Sequence, residues 1–312
     1  MLSCFPKADS SLVSMRIKHE IYREEIRYNG IVGTLFLPKG KIRSPVVITL
    51  GGSSGGINEF RAELLASHGL ATLALAYFGC DGLPSRLEEI PLEYFEKTIH
   101  WLETHSAINP DQIGLLGVSR GAELSLLIGS FFSEKIKAIA AYVPSSVVYG
   151  SLINPTKSAW MYGGKPILPK APFDASELFD FSLSSQDISL APYFLKGMED
   201  SAAFKNSAIP VEKLKCPLLL ISGQDDQMWP SCLFASQIEE RLKRENSRIA
   251  CSHYTYAGAG HSIAPCVSQV TKGFVHSIPH LTFNFGGTPS ADIKAKTDAW
   301  NRTLDFFLGA FP

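Results

Sequence analysis

Gly117-Val118-Ser119-Arg120-Gly121 lies between an apolar run, Ile113 to Leu116, and a stretch with helical spacing, Ala122 to Phe132. A strand that ends in Gly-x-Ser-x-Gly and turns at once into a helix is typical of a nucleophile elbow. Such an elbow holds a serine on a strained turn with its oxygen exposed. The stretch therefore predicts that a buried strand, a tight turn and a helix meet at Ser119.

The same pattern occurs twice more, in the overlapping pentapeptides that begin at Gly51 and Gly52. A nucleophile also needs an oxyanion hole, made by the N–H after the serine and by an N–H from an earlier strand-to-helix loop. The glycine turn of residues 51–56 is such a loop for Ser119, whereas no upstream parallel strand would supply a donor to a serine in that turn. We therefore predict Ser119 as the nucleophile, with backbone N–H groups of Arg120 and of Ser53 or Ser54 as oxyanion donors.

The remaining apolar runs alternate with helical patterns. Asn29-Gly30 predicts a hairpin between residues 21–27 and 31–37, at a sheet edge. Near-continuous apolar strands that alternate with helices indicate an α/β fold, with a mostly parallel sheet covered on both faces. Asn109-Pro110-Asp111 is expected to break the chain before the strand that carries Ser119. The other predicted strands are residues 45–50, 70–76, 113–116, 137–143, 218–222 and 251–256, and the predicted helices are 58–68, 92–104, 122–132, 231–244 and a C-terminal helix that includes residues 293–307.

The domain prediction is one α/β domain over residues 20–312, after an N-terminal extension of residues 1–19. Residues 144–210 interrupt the alternation and are rich in Pro, Ser, Gly and aromatic residues. Long irregular insertions of this kind are usually lids or binding loops, so we interpret this one as lid-like. Its aromatic side chains either line an acyl pocket or pack the segment onto the body of the domain. They are Phe173, Phe179, Phe181, Tyr193 and Phe194.

Composition excludes several classes of function. The chain of 312 residues has 29 Lys and Arg against 30 Asp and Glu, so no global charge favours nucleic acid as a partner. It contains no apolar leader and no run long enough for a membrane helix. The six cysteines lack Cys-x-x-Cys spacing or a nearby histidine at metal spacing, which favours free thiols in a reducing compartment. We therefore expect a cytoplasmic protein that uses neither a metal nor a cofactor.

A serine hydroxyl needs a histidine base that is oriented by a carboxylate. In a fold of this kind the chain order is Ser, then Asp, then His. Gly223-Gln224-Asp225-Asp226 follows one late strand, and Gly258-Ala259-Gly260-His261 follows the next. Because sites in α/β proteins lie at the carboxyl ends of strands, we predict His261 as the base and Asp226 as the carboxylate. Asp225 remains the alternative carboxylate.

The other charged and imidazole groups have less specific interpretations. Arg120 either steers an anionic substrate or pairs with Glu123. His253 lies inside a predicted strand, and four histidines precede the serine in the wrong order for a base. The histidines that we interpret as structural or surface groups are His19, His68, His100, His105, His253, His276 and His280.

Several separated motifs occur in a fixed order along the chain. They are Gly33-Thr34-Leu35-Phe36-Leu37-Pro38, Glu59-Phe60-Arg61-Ala62, Ala74-Leu75-Ala76-Tyr77, Leu92-Glu93-Tyr94-Phe95-Glu96, Gly114-Leu115-Leu116-Gly117-Val118-Ser119, Gly223-Gln224-Asp225-Asp226 and Asp298-Ala299-Trp300. Together they resemble the catalytic domain shared by type I acyl-CoA thioesterases and bile acid-CoA:amino acid N-acyltransferase.

This resemblance implies an α/β-hydrolase fold and the hydrolysis of fatty acyl-CoA through an acyl-serine intermediate. Ser119, Asp226 and His261 match the nucleophile, acid and base positions of the family. The N-acyltransferases of the family carry cysteine at the elbow, so serine favours water as the acceptor. Animal members have a β-sandwich before this domain, whereas only residues 1–19 precede the match here. The insertion at 144–210 lacks family motifs, so acyl chain length is not predicted.

We therefore expect a cofactor-free acyl-CoA thioesterase of lipid metabolism, whose partner is a small-molecule acyl-CoA. One alternative is a carboxylester hydrolase of the dienelactone type, because the same three residues cleave oxygen esters. A second is an acyl-CoA:amino acid N-acyltransferase. A third, outside the enzymes, is a noncatalytic binding protein with this fold, against which the intact Ser, Asp and His argue.

Overall fold

The computed structural model of the chain describes residues 19–151, 154, 156–167, 170–173, 187–266, 272–273 and 282–311. The predictions made for Phe179, Phe181, His276 and His280 lie outside these residues. The predicted N-terminal extension also lies outside them, except for His19.

A hairpin begins the described chain. Strands β1 (Ile21–Tyr28) and β2 (Ile31–Pro38) pair antiparallel along their whole length. Asn29 and Gly30 join them with φ of 50° and 80°, the left-handed pair that a two-residue type I′ turn requires. β1 has a single fully buried residue, Ile26, because it forms an edge of the sheet. The predicted hairpin at a sheet edge is confirmed.

The remaining strands are β3 (Ser44–Leu50), β4 (Ala71–Ala76), β5 (Ile90–Pro91), β6 (Ile108–Val118), β7 (Ile136–Tyr142), β8 (Trp160–Tyr162), β9 (Lys165–Pro166), β10 (Leu218–Gly223), β11 (Cys251–Tyr256), β12 (Lys272–Gly273) and β13 (Phe283–Asn284). Of these, β3, β4, β6, β7, β10 and β11 follow the predicted apolar runs, whereas the short β5, β8, β9, β12 and β13 were not predicted. Among the described residues, the main sheet has the order β1-β2-β4-β3-β6-β7-β10-β11. From β4 to β11 all neighbours are parallel, whereas β2 pairs antiparallel with both β1 and β4. The predicted, mostly parallel sheet is confirmed.

The predicted break at Asn109-Pro110-Asp111 is wrong, because β6 starts before it at Ile108. Ser44 pairs with Ile108, and the next paired position joins Val46 to Ile113. Between these two positions β6 has more residues than β3, so β6 bulges out of the ladder there. Pro110 has no N–H to give to a ladder, and the side chain of Asn109 accepts from Asp111 N at 3.2 Å. Proline therefore displaces a short stretch of the strand without ending it.

Helices cover both faces of the sheet, as predicted. They are α1 (Glu59–Ala66), α2 (Glu93–Thr104), α3 (Arg120–Phe131), α4 (Ala191–Gly197), α5 (Ser201–Asn206), α6 (Ser231–Arg244) and α7 (Pro289–Ala310). Buried side chains of α2, α3 and α6 share one core with Leu218 and Leu220 of β10. Those of α1 and α7 share a second core with Leu219 and Ile221, on the opposite face of the same strand. In the part of the chain that is described, no helix is long and apolar enough to cross a membrane.

The described parts of the 144–210 insertion contribute α4, α5, β8 and β9, and β8 pairs with β5 of the body in a small sheet of order β5-β8-β9. Phe173 and Phe194 stack with ring centroids 4.4 Å apart. Phe194 also meets Trp229, which belongs to the body, at 5.8 Å. Phe173 and Tyr193 pack, partly buried, against this same aromatic cluster. The described aromatic residues therefore pack the insertion onto the body, and its lid-like role remains a prediction.

Phe307 tests how far α7 stabilises the sheet. Its ring is fully buried, stacks on Phe311 at 5.9 Å and lies over Gly114 in β6. Phe307→Ala leaves a cavity in the core, so we expect the free energy of unfolding to fall by about 3–5 kcal/mol in urea titrations. Leu308 is the matched control, because it is 49% exposed, and Leu308→Ala should cost about 0.5 kcal/mol or less. Equal losses in the two variants would contradict this role for α7.

Candidate active site

Ser119 occupies the sharp turn between β6 and α3. Its φ of 58° and ψ of −122° are strained for a residue with a side chain. Three backbone hydrogen bonds fix this conformation. Ser119 N donates to Tyr142 O at 3.0 Å, while Ser119 O accepts from Ala122 N at 2.8 Å and Glu123 N at 3.1 Å. The turn therefore has the strained backbone geometry of the predicted elbow.

Glycine is required on both sides of this turn because backbones approach closely there. A Cβ on Gly117 would overlap the carbonyl oxygen of Gly121, and a Cβ on Gly121 would overlap the carbonyl oxygens of Leu50 and Gly51. The start of α3 is thus pressed against the end of β3. This contact brings the turn at residues 51–56 next to Ser119, where a Cβ on Gly52 would lie 3.7 Å from the serine Oγ.

The structure brings Ser119, His261 and Asp226 together. His261 Nε2 lies 3.0 Å from Ser119 Oγ, and His261 Nδ1 lies 2.8 Å from Asp226 Oδ2. Ser119, Asp226 and His261 follow the carboxyl ends of β6, β10 and β11, respectively. In the sheet, β7 lies between β6 and β10, and β11 lies next to β10. If Nδ1 carries the proton that faces the carboxylate, Nε2 is free to accept one from the serine.

The Asp226 carboxylate is held by donors on both oxygens. Oδ1 accepts from Met228 N at 2.9 Å and Trp229 N at 3.3 Å, and Oδ2 accepts from Ser231 Oγ at 2.6 Å. Asp226 is buried, whereas Asp225 is exposed. The geometry therefore favours Asp226 over the alternative. No sequence motif indicated Ser231, since its contact depends on how the turn folds back onto the start of α6.

His261 is positioned by a second chain segment that the sequence did not indicate. Its N–H donates to Phe285 O at 2.7 Å, and Gly260 N donates to Asp292 Oδ1 at 2.8 Å. A Cβ on Gly260 would overlap the backbone of Phe285 and Gly286. Burial raises the pKa of Asp292, and the hydrogen bond from Gly260 acts in the opposite direction. The glycines before His261 therefore allow close packing on the segment that precedes α7.

A second serine, histidine and carboxylate series lies inside the domain. His253 Nε2 is 2.8 Å from Ser222 Oγ, and His253 Nδ1 is 2.8 Å from Glu239 Oε2. Ser222 is fully buried, so no substrate reaches its hydroxyl. This series connects α6 to strands β10 and β11, which agrees with the structural interpretation of His253.

A cleft of about 260 Å³ opens at Ser119 and His261. The glycine turn supplies Ser53 and Ser54 to its wall. Arg120 is the first residue of α3, and the first N–H groups of a helix have no carbonyl partner within it. The predicted oxyanion donors thus lie around the serine. The other lining residues are Gly52, Asn58, Arg61, Val118, Met228, Ser262, Ala264, Cys266 and Phe285.

The side chain of Arg120 points into the protein, where it pairs with Glu123 at 2.8 Å. Its Nη2 donates to Tyr149 O at 2.8 Å, and Glu123 Oε1 accepts from Trp160 Nε1 at 2.6 Å. Of the two interpretations of this arginine, the structure supports pairing with Glu123. The buried pair connects α3, which follows Ser119, to residues of the insertion. Burial raises the pKa of Glu123 to about 7, although the Arg120 guanidinium opposes this shift.

Comparison with known proteins identifies the family. The profile described as BAAT / Acyl-CoA thioester hydrolase C terminal matches residues 90–310. The chain belongs to this family. The resemblance that its sequence motifs carry is therefore confirmed, and the matched range contains Ser119, Asp226 and His261.

Curated relatives agree with this family. Human acyl-coenzyme A thioesterase 6 is 34% identical over 290 residues, which cover 92% of this chain and 65% of the relative. Human acyl-coenzyme A thioesterase 1 is 33% identical, over 96% of this chain and 69% of the relative. A mouse relative, 34% identical over 92% of this chain, is named acyl-coenzyme A thioesterase 2, mitochondrial. The chain thus spans about two thirds of the length of the curated relatives it matches.

Solved structures confirm the predicted α/β-hydrolase fold. A structure titled as a putative dienelactone hydrolase from Klebsiella pneumoniae aligns with a TM-score of 0.56 and 15% identity, over 93% of this chain and 98% of the other. A puromycin-hydrolyzing peptidase from Mycobacterium tuberculosis aligns with a TM-score of 0.57 and 14% identity, over 95% of this chain and 40% of the other. At such identities the likeness shows the fold alone.

The buried Glu123 carboxyl has a testable effect on stability. Native Glu123 keeps its proton between about pH 4.5 and 7, where the unfolded residue has lost it, so this group makes native stability fall as pH rises. Glutamine does not titrate. The quantity to measure is the free energy of unfolding of Glu123→Gln minus that of wild type, from urea titrations. We expect this difference to increase as pH rises from about 4.5 to 7.

Glu212 provides a control of opposite sign. Burial acts to raise its pKa, but the hydrogen bonds from Arg241 prevail and lower it. Native stability from Glu212 is therefore lost as pH falls, and the same difference for Glu212→Gln should decrease as pH rises. A flat difference for Glu123→Gln between pH 4.5 and 7 would contradict the raised pKa.

Proposed function

We propose that this chain hydrolyses acyl-CoA thioesters, with Ser119 as nucleophile, His261 as general base and Asp226 as the orienting carboxylate. The observation that carries this proposal is the continuous Ser119, His261 and Asp226 series, with distances of 3.0 Å and 2.8 Å, at the wall of an open cleft. Membership of the family and curated relatives named acyl-coenzyme A thioesterases support acyl-CoA as the substrate.

Acylation begins when His261 Nε2 takes the hydroxyl proton of Ser119 and Oγ attacks the thioester carbonyl. The resulting oxyanion collapses, the carbon–sulfur bond breaks, and CoA leaves as its thiol with the proton from His261. Water then gives a proton to His261 and attacks the acyl-serine. Free acid leaves, and Ser119 regains its hydroxyl proton from the histidine. The proton of Ser119 leaves with the CoA thiol and is replaced by one from water, so the steps sum to hydrolysis of the thioester and need no cofactor.

The polar groups around this series have distinct proposed roles. Asp226 fixes His261 with its proton on Nδ1 and stabilises the imidazolium that forms during each step. Its three donors keep the carboxylate oriented while it is buried. The N–H groups of Arg120 and of Ser53 or Ser54 hold the oxyanion. Donors of this kind act on charge that develops in the transition state, so they accelerate the reaction without tightening substrate binding.

Serine at the elbow distinguishes the proposed hydrolysis from amino acid N-acyl transfer, because the N-acyltransferases that the sequence resembles carry cysteine there. An oxygen-ester hydrolase would use the same three residues, so only the choice of substrate separates it from a thioesterase. A cytoplasmic location stays a prediction, since one of the relatives is named mitochondrial.

A panel of substrates tests the reaction. We expect wild type to release thiol from acyl-CoAs of several lengths faster than it hydrolyses matched oxygen esters, with free acid as the product even when glycine or taurine is present. Ser119→Ala removes the attacking oxygen, so turnover should fall by about 10⁴-fold or more. Ester turnover without thioester turnover would contradict the CoA assignment. Amide product would indicate transfer, and activity retained in Ser119→Ala would exclude this nucleophile.

The two neighbouring aspartates form a matched pair of variants. Asp226→Asn keeps the shape of the side chain but removes the charge that orients His261, so kcat should fall by about 10⁴-fold. Asp225→Asn changes an exposed side chain one residue away and should alter kcat by less than about threefold. Steady-state kinetics of thiol release measure both variants. A larger loss at Asp225 would overturn the assignment of the carboxylate.

A further inference from the structure

Among the described cysteines, only Cys266 lines the cleft at Ser119 and His261. It is partly exposed, and its sulfur accepts a hydrogen bond from Lys296 Nζ at 3.3 Å. Cys266 lies in the segment after His261, whereas Lys296 lies on α7. Neither residue belongs to the sequence motifs that carry the family resemblance. The fold therefore brings a thiol and a cation together at the wall of the cleft.

Lys296 is a buried cation with weak compensation. It is 8% exposed, and among the described residues no carboxylate forms an ion pair with it. Asp292, one turn earlier in α7, interacts with Lys296 electrostatically, but its Oδ1 accepts the hydrogen bond from Gly260 N. A neutral thiol is a weak acceptor for an ammonium group, whereas a thiolate carries a full opposite charge. Lys296 is thus placed to stabilise an anionic sulfur.

A second buried cation lies at this end of the cleft. Arg61 is 6% exposed and lines the cleft, and its Nη1 donates to the carbonyl oxygen of Pro265, the residue before Cys266, at 3.1 Å. Its buried Nε has no acceptor among the described residues. Such a donor is costly unless a bound group supplies an acceptor. The amide carbonyls of the pantetheine arm of CoA are acceptors of this kind, so the unused donor indicates that a ligand enters beside Cys266.

The remaining described cysteines lack this environment. Burial raises the pKa of the Cys216 and Cys251 thiols to about 12, so both stay protonated. Cys80 and Cys232 are partly exposed, but neither lines the cleft or accepts a hydrogen bond from a cation among the described residues. The thiolate is the form that attacks a disulfide, and a neighbouring cation stabilises it. The surroundings of Cys266 therefore favour thiol–disulfide exchange.

The proposed reaction brings a second sulfur into the same cleft. The volume of the cleft is only about 260 Å³, so a thioester whose carbonyl is at Ser119 has its sulfur and the adjoining pantetheine arm close to Cys266. Cleavage of the thioester leaves a free thiol on that arm. The symmetric disulfide of CoA carries the same arm on each side of its sulfur–sulfur bond. A cleft that admits the thioester therefore also admits the disulfide.

We propose that Cys266 is a modification site, which binds one CoA as a mixed disulfide and thereby blocks access to Ser119. The Cys266 thiolate attacks one sulfur of CoA disulfide, the bond between the two CoA sulfurs breaks, and a bond forms between Cys266 and one CoA. The other CoA leaves as its thiol with the proton that Cys266 gave up. One disulfide replaces another, so no further oxidant is needed. This inference rests on the proposed thioesterase function and adds a modification of the same cleft.

Mass spectrometry of the full chain treated with CoA disulfide tests the modification. We expect wild type to gain one CoA first, mapped to Cys266 after digestion without a reducing agent and removed by dithiothreitol. Under the same conditions Cys266→Ser should gain none. Cys80→Ser is the matched control, because it removes a partly exposed thiol outside the cleft lining, and it should react as wild type does. Modification that begins at any other cysteine, or no modification, would overturn the proposal.

Activity after treatment shows whether the modification closes the cleft. Excess disulfide is removed, and release of free acid from acyl-CoA is measured together with labelling of Ser119 by a fluorophosphonate. Both should fall in wild type in proportion to the modified fraction and return with dithiothreitol. Treated Cys266→Ser should keep the values that it had before treatment. A fully modified chain that keeps both values would contradict a block at Ser119.

Variants of Lys296 test the origin of the reactivity. Lys296→Met removes the ammonium and keeps the apolar stem, so the rate constant of modification should fall by about 10-fold or more, as expected for the loss of one hydrogen bond to a charged group. Lys296→Arg should recover most of this rate, and Lys294→Met, which removes an exposed charge from the same helix, should leave it unchanged. Urea titrations show that each variant is folded. Equal rates for Lys296→Met and wild type, or equal losses in Lys296→Met and Lys296→Arg, would contradict this role of the charge.

The modification and the proposed function fail separately. Uptake of CoA at Cys266 by a chain that does not hydrolyse acyl-CoA would contradict the thioesterase assignment and support the modification site. Hydrolysis of acyl-CoA by a chain whose Cys266 gains no CoA would retain the function and exclude the modification.

Discussion

The left-handed backbone of Ser119 is the constraint on which the candidate site depends. A side chain in this conformation is strained, and the structure holds it there by hydrogen bonds to Tyr142 in β7 and to the first turn of α3. The strain is tolerated because Gly117 and Gly121 let α3 approach the ends of β3 and β6. The same contact brings residues 51–56 beside the serine. One close approach of backbones thus positions both the proposed nucleophile and the expected oxyanion donors.

The proposed base, His261, and the proposed carboxylate, Asp226, depend on a different kind of support. Both follow strands, but neither side chain is oriented by its own strand. The segment before α7 accepts a hydrogen bond from His261 N at Phe285 O, and Asp292 accepts one from Gly260 N. Asp226 is fixed by the start of α6. The C-terminal helix and the segment before it therefore position the site as well as pack the core. The buried Asp292 carboxylate has a role there, because it accepts the hydrogen bond from the turn before His261.

Charge is arranged differently on the two sides of the nucleophile. Arg120 faces the interior, where Glu123 and backbone carbonyls of the insertion accept its hydrogen bonds. Arg61 faces the cleft, and its only hydrogen-bond acceptor among the described residues is a carbonyl. The first arginine is thus part of the scaffold, whereas the second lines the cleft beside Ser119. Two arginines that look alike in the sequence differ because their helices, α3 and α1, lie on opposite faces of the sheet.

The sequence by itself determined the hairpin, the strands of the parallel sheet and the helices between them, and it predicted Ser119, His261 and the turn that contains Asp225 and Asp226, because apolar period, glycine turns and chain order are local signals. It was wrong at residues 109–111, where a bulge keeps Pro110 within the strand. Only the tertiary structure distinguished Asp225 from Asp226, since the two neighbours differ in burial and in the contact of the carboxylate with His261. It also decided the partners of Arg120 and Arg61. Burial and pairing are long-range properties, set by which faces meet after folding.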